Sequence, residues 1–71
     1  MENIVDILEG HFYAPKDGND PIRLVHWATE QSVCFSDGRD LVSFIDFKSE
    51  FENWAGRDVT EEIDLDLWRK Q

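Results

Sequence analysis

The sequence predicts a small α+β domain: an antiparallel meander of three to four strands packed by one aromatic-striped helix, with helical segments at the termini. Three features carry this expectation. Residues 22–28, 32–36 and 39–44 are short runs rich in β-branched and aromatic side chains, separated by turn-forming residues. Phe44, Phe47, Phe51 and Trp54 then recur at steps of three, four and three, the spacing of one helical face. Three Trp, five Phe and one Tyr among 71 residues supply enough apolar surface for one core, and the chain is read as a single domain, 1–71. An SH3-like small barrel is the alternative, with short curved strands around Phe12, Val25, Phe35 and Val42 closing on themselves.

The first element is a helical turn or two, because Ile4, Val5, Ile7 and Leu8 share a face, Asn3 suits an N-cap and Gly10 a stop. A strand over residues 11–14 follows, ended by Pro15. Residues 16–21 hold Gly18, Asn19 and Pro21 and read as a loop. Asp37-Gly38 is the strongest hairpin signal, since a tight type I′ turn needs positive φ at both central residues. That turn sets Val33 opposite Val42 and Cys34 opposite Leu41; with a loop over 29–31, Val25 meets Phe35 and Trp27 meets Val33. One sheet face then carries Val25, Trp27, Val33, Phe35, Val42 and Phe44 toward the core, making Trp27 the sheet's buried tryptophan. The other face carries Leu24, His26, Cys34 and Leu41.

The aromatic stripe belongs to a helix over residues 46–55, capped by Asp46 or Ser43 and stopped by Gly56. From residue 58 to 68 two patterns compete. Val59, Ile63 and Leu67 fit a helix, whereas Ile63, Leu65 and Leu67 alternate with Asp64 and Asp66 as in a strand. Asp58 with Glu61 three residues later resembles a capping box and tips the balance to helix.

Charge says more about partners than about chemistry. Sixteen carboxylates against seven basic side chains give a formal charge of −9, which repels nucleic acid and anionic membranes and attracts basic protein surfaces. Eight of the acids lie between Asp46 and Asp66, so the expected partner-binding set is Glu50, Glu52, Glu61, Glu62, Asp64 and Asp66, with Trp54 or Trp68 as a partly exposed anchor. The function expected is a non-enzymatic acidic interaction domain that binds a basic protein surface, in one form an inhibitor that mimics nucleic acid and blocks a nucleic-acid-binding protein. Small acidic inhibitors of phages and mobile elements share this profile of size and charge, an analogy without a motif. The alternative is a structural or assembly module with mainly apolar contacts, its charge conferring solubility. The expected state is a monomer or weak homodimer.

Other chemistries are poorly served. His26 and Cys34 oppose each other in the expected register, but no orienting group or oxyanion donor accompanies them, and a buried cysteine beside a half-exposed histidine is the ordinary reading. His11, His26 and Cys34 lack the paired spacing of a zinc site, and Asp17 with Asp20 lacks the further oxygen ligands of a calcium loop. No metal, no cofactor and no catalytic residue is expected. One cysteine excludes an internal disulfide, the first nine residues carry acids where a signal peptide carries positive charge, and no apolar run approaches the ~20 residues that span a bilayer. These features point to a cytoplasmic protein.

Overall fold

The computed structural model describes residues 6–18, 21–38 and 42–69. They form a small α+β domain of five antiparallel strands and two short helices: β1 (Phe12–Pro15), β2 (Arg23–Ala28), β3 (Ser32–Ser36), β4 (Phe44–Phe47), α1 (Lys48–Trp54), β5 (Ala55–Asp58) and α2 (Leu65–Arg69). The sheet order is β4-β3-β2-β1-β5, a meander whose first strand also takes β5 on its free side. The expected meander and its packing helix are therefore present.

The helix α1 joins the two outermost strands with no residue between elements. Five flat strands at ~4.8 Å spacing would hold those edges about 19 Å apart. Seven helical residues advance only about 10 Å, so the sheet must curl beneath the helix. Both helix ends are tied to the sheet: Lys48 N–H donates to Gln31 O (2.8 Å) and Lys16 N–H to Trp54 O (3.0 Å).

Alternation along the strands sorts the apolar residues to two sides. Tyr13, Val25, Val33 and Phe35 meet Phe51 and Ala55 beneath α1, joined by Ile7. Phe12 turns the opposite way and packs with Val59 and Trp68 beneath the C-terminal segment, edged by Ala14, Ile22, Leu24 and Ile63. The buried Tyr13 hydroxyl accepts from Leu8 N–H (2.8 Å) and donates to Asp6 O (2.6 Å), fastening the N-terminal segment. Burial pushes this phenol above its ordinary value, outweighing the Leu8 hydrogen bond, so it stays a neutral donor.

Four expectations need correction. Residues 6–10 are not helical; the rest of the expected N-terminal helix, with Asn3, lies outside the described residues. The register of β2 on β3 shifts between Val25 and Trp27, so Val25 meets Phe35 as expected but Trp27 meets Cys34 and Ala28 meets Val33. This bulge at His26 inverts the alternation, sending Trp27 to the outer side, where it is 38% exposed. The tight Asp37-Gly38 hairpin is replaced by a longer connection, and β4 lies four residues further on, with Phe35↔Phe44, Cys34↔Ile45 and Val33↔Asp46. Val42 is exposed outside any strand, and Leu41 lies outside the described residues. Phe44 and Phe47 thus belong to a strand, α1 starts at Lys48, and the chain runs through Gly56 as strand β5.

Gly38 lies against the C-terminal segment. It has φ +87°, and a Cβ there would stand 2.6 Å from Trp68 O and 2.9 Å from Trp68 Cε2. Gly18 has a similar φ of +76° with open space around it. Gly38→Ala is expected to lose about 2–4 kcal/mol, and Gly18→Ala only the ~1 kcal/mol of the left-handed backbone. Urea unfolding followed by circular dichroism checks this, and equal losses would remove the role given to the Trp68 contact.

Candidate partner-binding surface

The two most exposed apolar side chains, Ile45 and Phe47, stand on β4, with Phe44 and Val42 beside them, while Leu65 and Leu67 are exposed on α2. Cross-strand pairing aligns Trp27, Cys34 and Ile45 on the outer face of β2, β3 and β4, and Phe47 follows Ile45 on the same face. Ile45 is 68% and Phe47 70% exposed, with Cys34 buried below them. On the inner face Phe44 is half exposed and rests on Phe35, ring centroids 5.7 Å apart.

Two acidic recesses flank this strand. One, of about 360 Å³, is lined by Phe44, Ile45, Asp46, Asp37, Arg23 and Phe35, with Pro21 at its rim. The other, of about 330 Å³, lies at the Phe47 end between Glu30, Gln31, Lys48, Ser49 and Glu52. The guanidinium of Arg23 is stacked 3.9 Å from the Trp54 ring centre and 4.4 Å from that of Phe35, which commits it to the inner core.

The structure divides the sequence-predicted site residues between two sides of the sheet. Glu50, Glu52 and Trp54 ride on α1, over the face that buries Phe51. Glu61, Glu62, Asp64, Asp66 and Trp68 belong to the C-terminal segment, on the face that buries Phe12. Glu62, Asp64 and Trp68 come together around a third recess, of about 350 Å³, with Ile22, Val59 and Leu67. Glu62 is held there by Arg57, Nη1 to Oε2 2.6 Å. Asp64 caps α2, its Oδ1 accepting from Asp66 N–H (3.0 Å) and Leu67 N–H (3.3 Å).

Of the two expected anchors one is core, while Trp54 keeps the partial exposure expected of one of the pair. Trp68 is buried, its ring edge-on to Phe12 at 5.1 Å and its Nε1–H donating to Ile22 O (2.8 Å). Trp54 is half-buried between Phe51 and Arg23. The exposed tryptophan is Trp27, a consequence of the bulge. Asp58 does not cap a helix: it ends β5, and its Oδ1 accepts from Thr60 N–H (2.9 Å) and from the Thr60 hydroxyl. His26 and Cys34 do not oppose each other, since His26 Nε2 lies 3.0 Å from Ser36 Oγ and Cys34 faces Trp27 and Ile45. Among the described residues no cluster of three metal-ligating side chains occurs, and no helix is long and apolar enough to cross a membrane.

One side-chain pair ties the residue before β1 to the end of β5. His11 Nδ1 lies 2.6 Å from Asp58 Oδ2. Burial raises the Asp58 carboxyl, but hydrogen bonds from Thr60 and His11 outweigh it and hold it below its ordinary value. A depressed folded-state value means that this stabilisation is full above the ordinary aspartate pKa of about 3.9 and is lost as pH falls through the folded-state value. Asp58→Asn is therefore expected to lower Tm by a few degrees at pH 6 and by progressively less as pH falls below the ordinary aspartate range, the effect being small because the pair is a third exposed. A Tm difference that does not shrink as pH is lowered below the ordinary aspartate range would refute the linkage.

Compared with protein-family models, with curated proteins and with solved structures, the chain finds no match in any of the three.

Proposed function

We propose that this protein is a non-enzymatic acidic interaction domain that binds a basic protein surface. The observation that carries the reading is the apolar strip of Trp27, Ile45 and Phe47, left in solvent on a chain of charge −9; although α1 covers the inner face, its Glu52 reaches the strip's Phe47 end with Glu30, and Asp46 stands beside Ile45 at the same sheet edge. Exposed apolar side chains rimmed by charge of one sign suit a partner of the opposite sign, the apolar part supplying affinity and the carboxylates steering encounter. A nucleic-acid mimic would use carboxylates alone; the strip favours a mixed contact, and the division of the acids between two sides favours one side over both. The free, buried Cys34 suits a reducing compartment, in keeping with a cytoplasmic setting.

The test compares Glu50→Lys/Glu52→Lys with Glu61→Lys/Asp66→Lys, four exposed or half-buried acids outside the Arg57–Glu62 pair and the Asp64 cap. A protein captured by the wild-type domain should be released by salt and lost from the α1-side variant, with the α2-side variant nearly unchanged. Binding that ignores both variants and salt sinks the acidic reading. It would favour the second reading, an assembly module working through the apolar strip, for which concentration-dependent light scattering independent of salt is the signature.

A further inference from the structure

The two edges of the sheet are finished differently. The β5 edge carries Gly56, Arg57 and Asp58, and its pairing with β1 is broken by a register shift between Ala14 and Pro15, features that blunt an edge. The β4 edge reads Phe-Ile-Asp-Phe, with no lysine, proline or bulge in the strand. Its backbone orientation follows from two hydrogen bonds. Lys48 N–H donates to Gln31 O, toward β3, whereas Phe47 N–H donates to the Asp46 carboxylate, 2.9 Å away. Successive amides of a strand point to opposite edges, so Phe47 points outward, and Ile45, two residues earlier, presents its N–H and C=O on the same outer edge.

We infer that β4 is a strand-addition site: an extended segment of the basic partner, alternating apolar and basic side chains, pairs with the outer edge of β4 as a sixth strand. The inference rests on the reading of the protein as an acidic interaction domain and specifies where and how the partner binds. Main-chain bonds to Ile45 supply register, and alternate side chains of the segment fall on opposite faces. On the outer face its apolar residues continue the Trp27–Ile45–Phe47 strip. On the inner face its basic residues meet Asp46 and Asp37, and at the Phe47 end Glu30 and Glu52. Charge also selects this occupant over a second copy of the chain. Two β4 strands paired with each other would bring Asp46 near its counterpart and join two bodies of charge −9, whereas a basic strand meets a net negative rim, Asp37 and Asp46 against Arg23 in one recess and Glu30 and Glu52 against Lys48 in the other.

The test is an NMR titration of the ¹⁵N-labelled protein with a capped eight-residue peptide that alternates lysine and valine. Its first control is N-methylated at every second residue in each of two versions, one for either edge, so that in one version or the other the edge facing β4 cannot donate, and its second replaces lysine by glutamate. The expected result is a shift of the β4 amides with slowed hydrogen exchange at Ile45, and affinity at least tenfold weaker for one N-methylated version and for the glutamate control. All changes are in the peptide, so misfolding of the protein cannot imitate the outcome. Equal binding of both N-methylated versions, with shifts confined to α1 or the C-terminal segment, overturns strand addition and leaves the acidic interaction reading standing. Protection of Ile45 without peptide that grows with protein concentration assigns the edge to a second copy and overturns the inference. No shift with any peptide overturns both.

Discussion

Phe51→Ala is expected to remove about 3–5 kcal/mol, the cost of truncating a buried phenylalanine to alanine. Phe51 is fully buried, and its ring lies against three others, Phe35 and Trp54 at 5.3 Å and Tyr13 at 5.7 Å. It is also the one fully buried residue of α1, and a seven-residue helix has no stability of its own. The loss therefore reaches beyond the cavity to the helix and to the crossover that brings β5 beside β1. At ~0.05–0.15 kcal/mol per residue a domain of this size holds about 4–10 kcal/mol in all, so the variant should lose roughly half of its stability. Phe47→Ala is the informative companion. A helical stripe would make the two residues equivalent, but Phe47 stands in solvent on β4 and its loss should change stability by no more than about 0.5 kcal/mol. Urea unfolding of both variants decides the matter, and comparable losses would mean that α1 begins before Phe47.

Trp68→Ala should cost a similar amount, about 3–5 kcal/mol, by a different route. Trp68 closes the second apolar cluster against Phe12 and Val59, and its indole N–H satisfies the Ile22 carbonyl. The five-residue α2 has Trp68 as its only buried side chain, so without the indole the C-terminal segment loses its hold on the sheet. Amide exchange at residues 65–69 should rise toward the unfolded rate even under conditions where β2 and β3 remain protected. Trp68→Phe should retain most of the packing and lose the hydrogen bond, about 1 kcal/mol. Leu67→Ala, in an exposed neighbour, should be close to neutral. If Leu67→Ala and Trp68→Ala unfolded at the same urea concentration, the indole would not be the anchor described.

Much of the candidate surface was hidden from the sequence for a definite reason. Phe44, Phe47, Phe51 and Trp54 fit one helical face, but the same stretch, Phe44-Ile45-Asp46-Phe47, also fits a strand, and periodicity over four residues cannot separate the two. Read as a strand it would have put Ile45 and Phe47 on one face and suggested the exposed strip. Trp27 left no such signal. Its exposure comes from one extra residue in β2, a bulge at His26 that is a matter of pairing rather than of composition. The acids Glu50, Glu52, Glu61, Glu62, Asp64 and Asp66 were legible as exposed charge, but nearness along the chain suggested one surface where the fold makes two.

The sequence by itself determined the α+β class, strands over residues 11–14, 22–28 and 32–36, which the structure places one residue later at Phe12–Pro15, at Arg23–Ala28 and at Ser32–Ser36, the pairing of Val25 with Phe35, and the burial of Phe51. Each follows from local alternation, turn chemistry or the size of one apolar side chain, all of which act over a few residues. Only the tertiary structure decided that β4 starts at Phe44, that Asp64 and not Asp58 caps the last helix, and that Trp68 is core while Trp27 is surface. These depend on contacts between residues far apart in sequence: Gly38 against Trp68, Trp68 against Phe12 and Ile22, and β5 against β1. In so small a domain the burial of one indole outweighs the preference of a tight turn or a capping pair, because each of those is worth about 1 kcal/mol and the indole several.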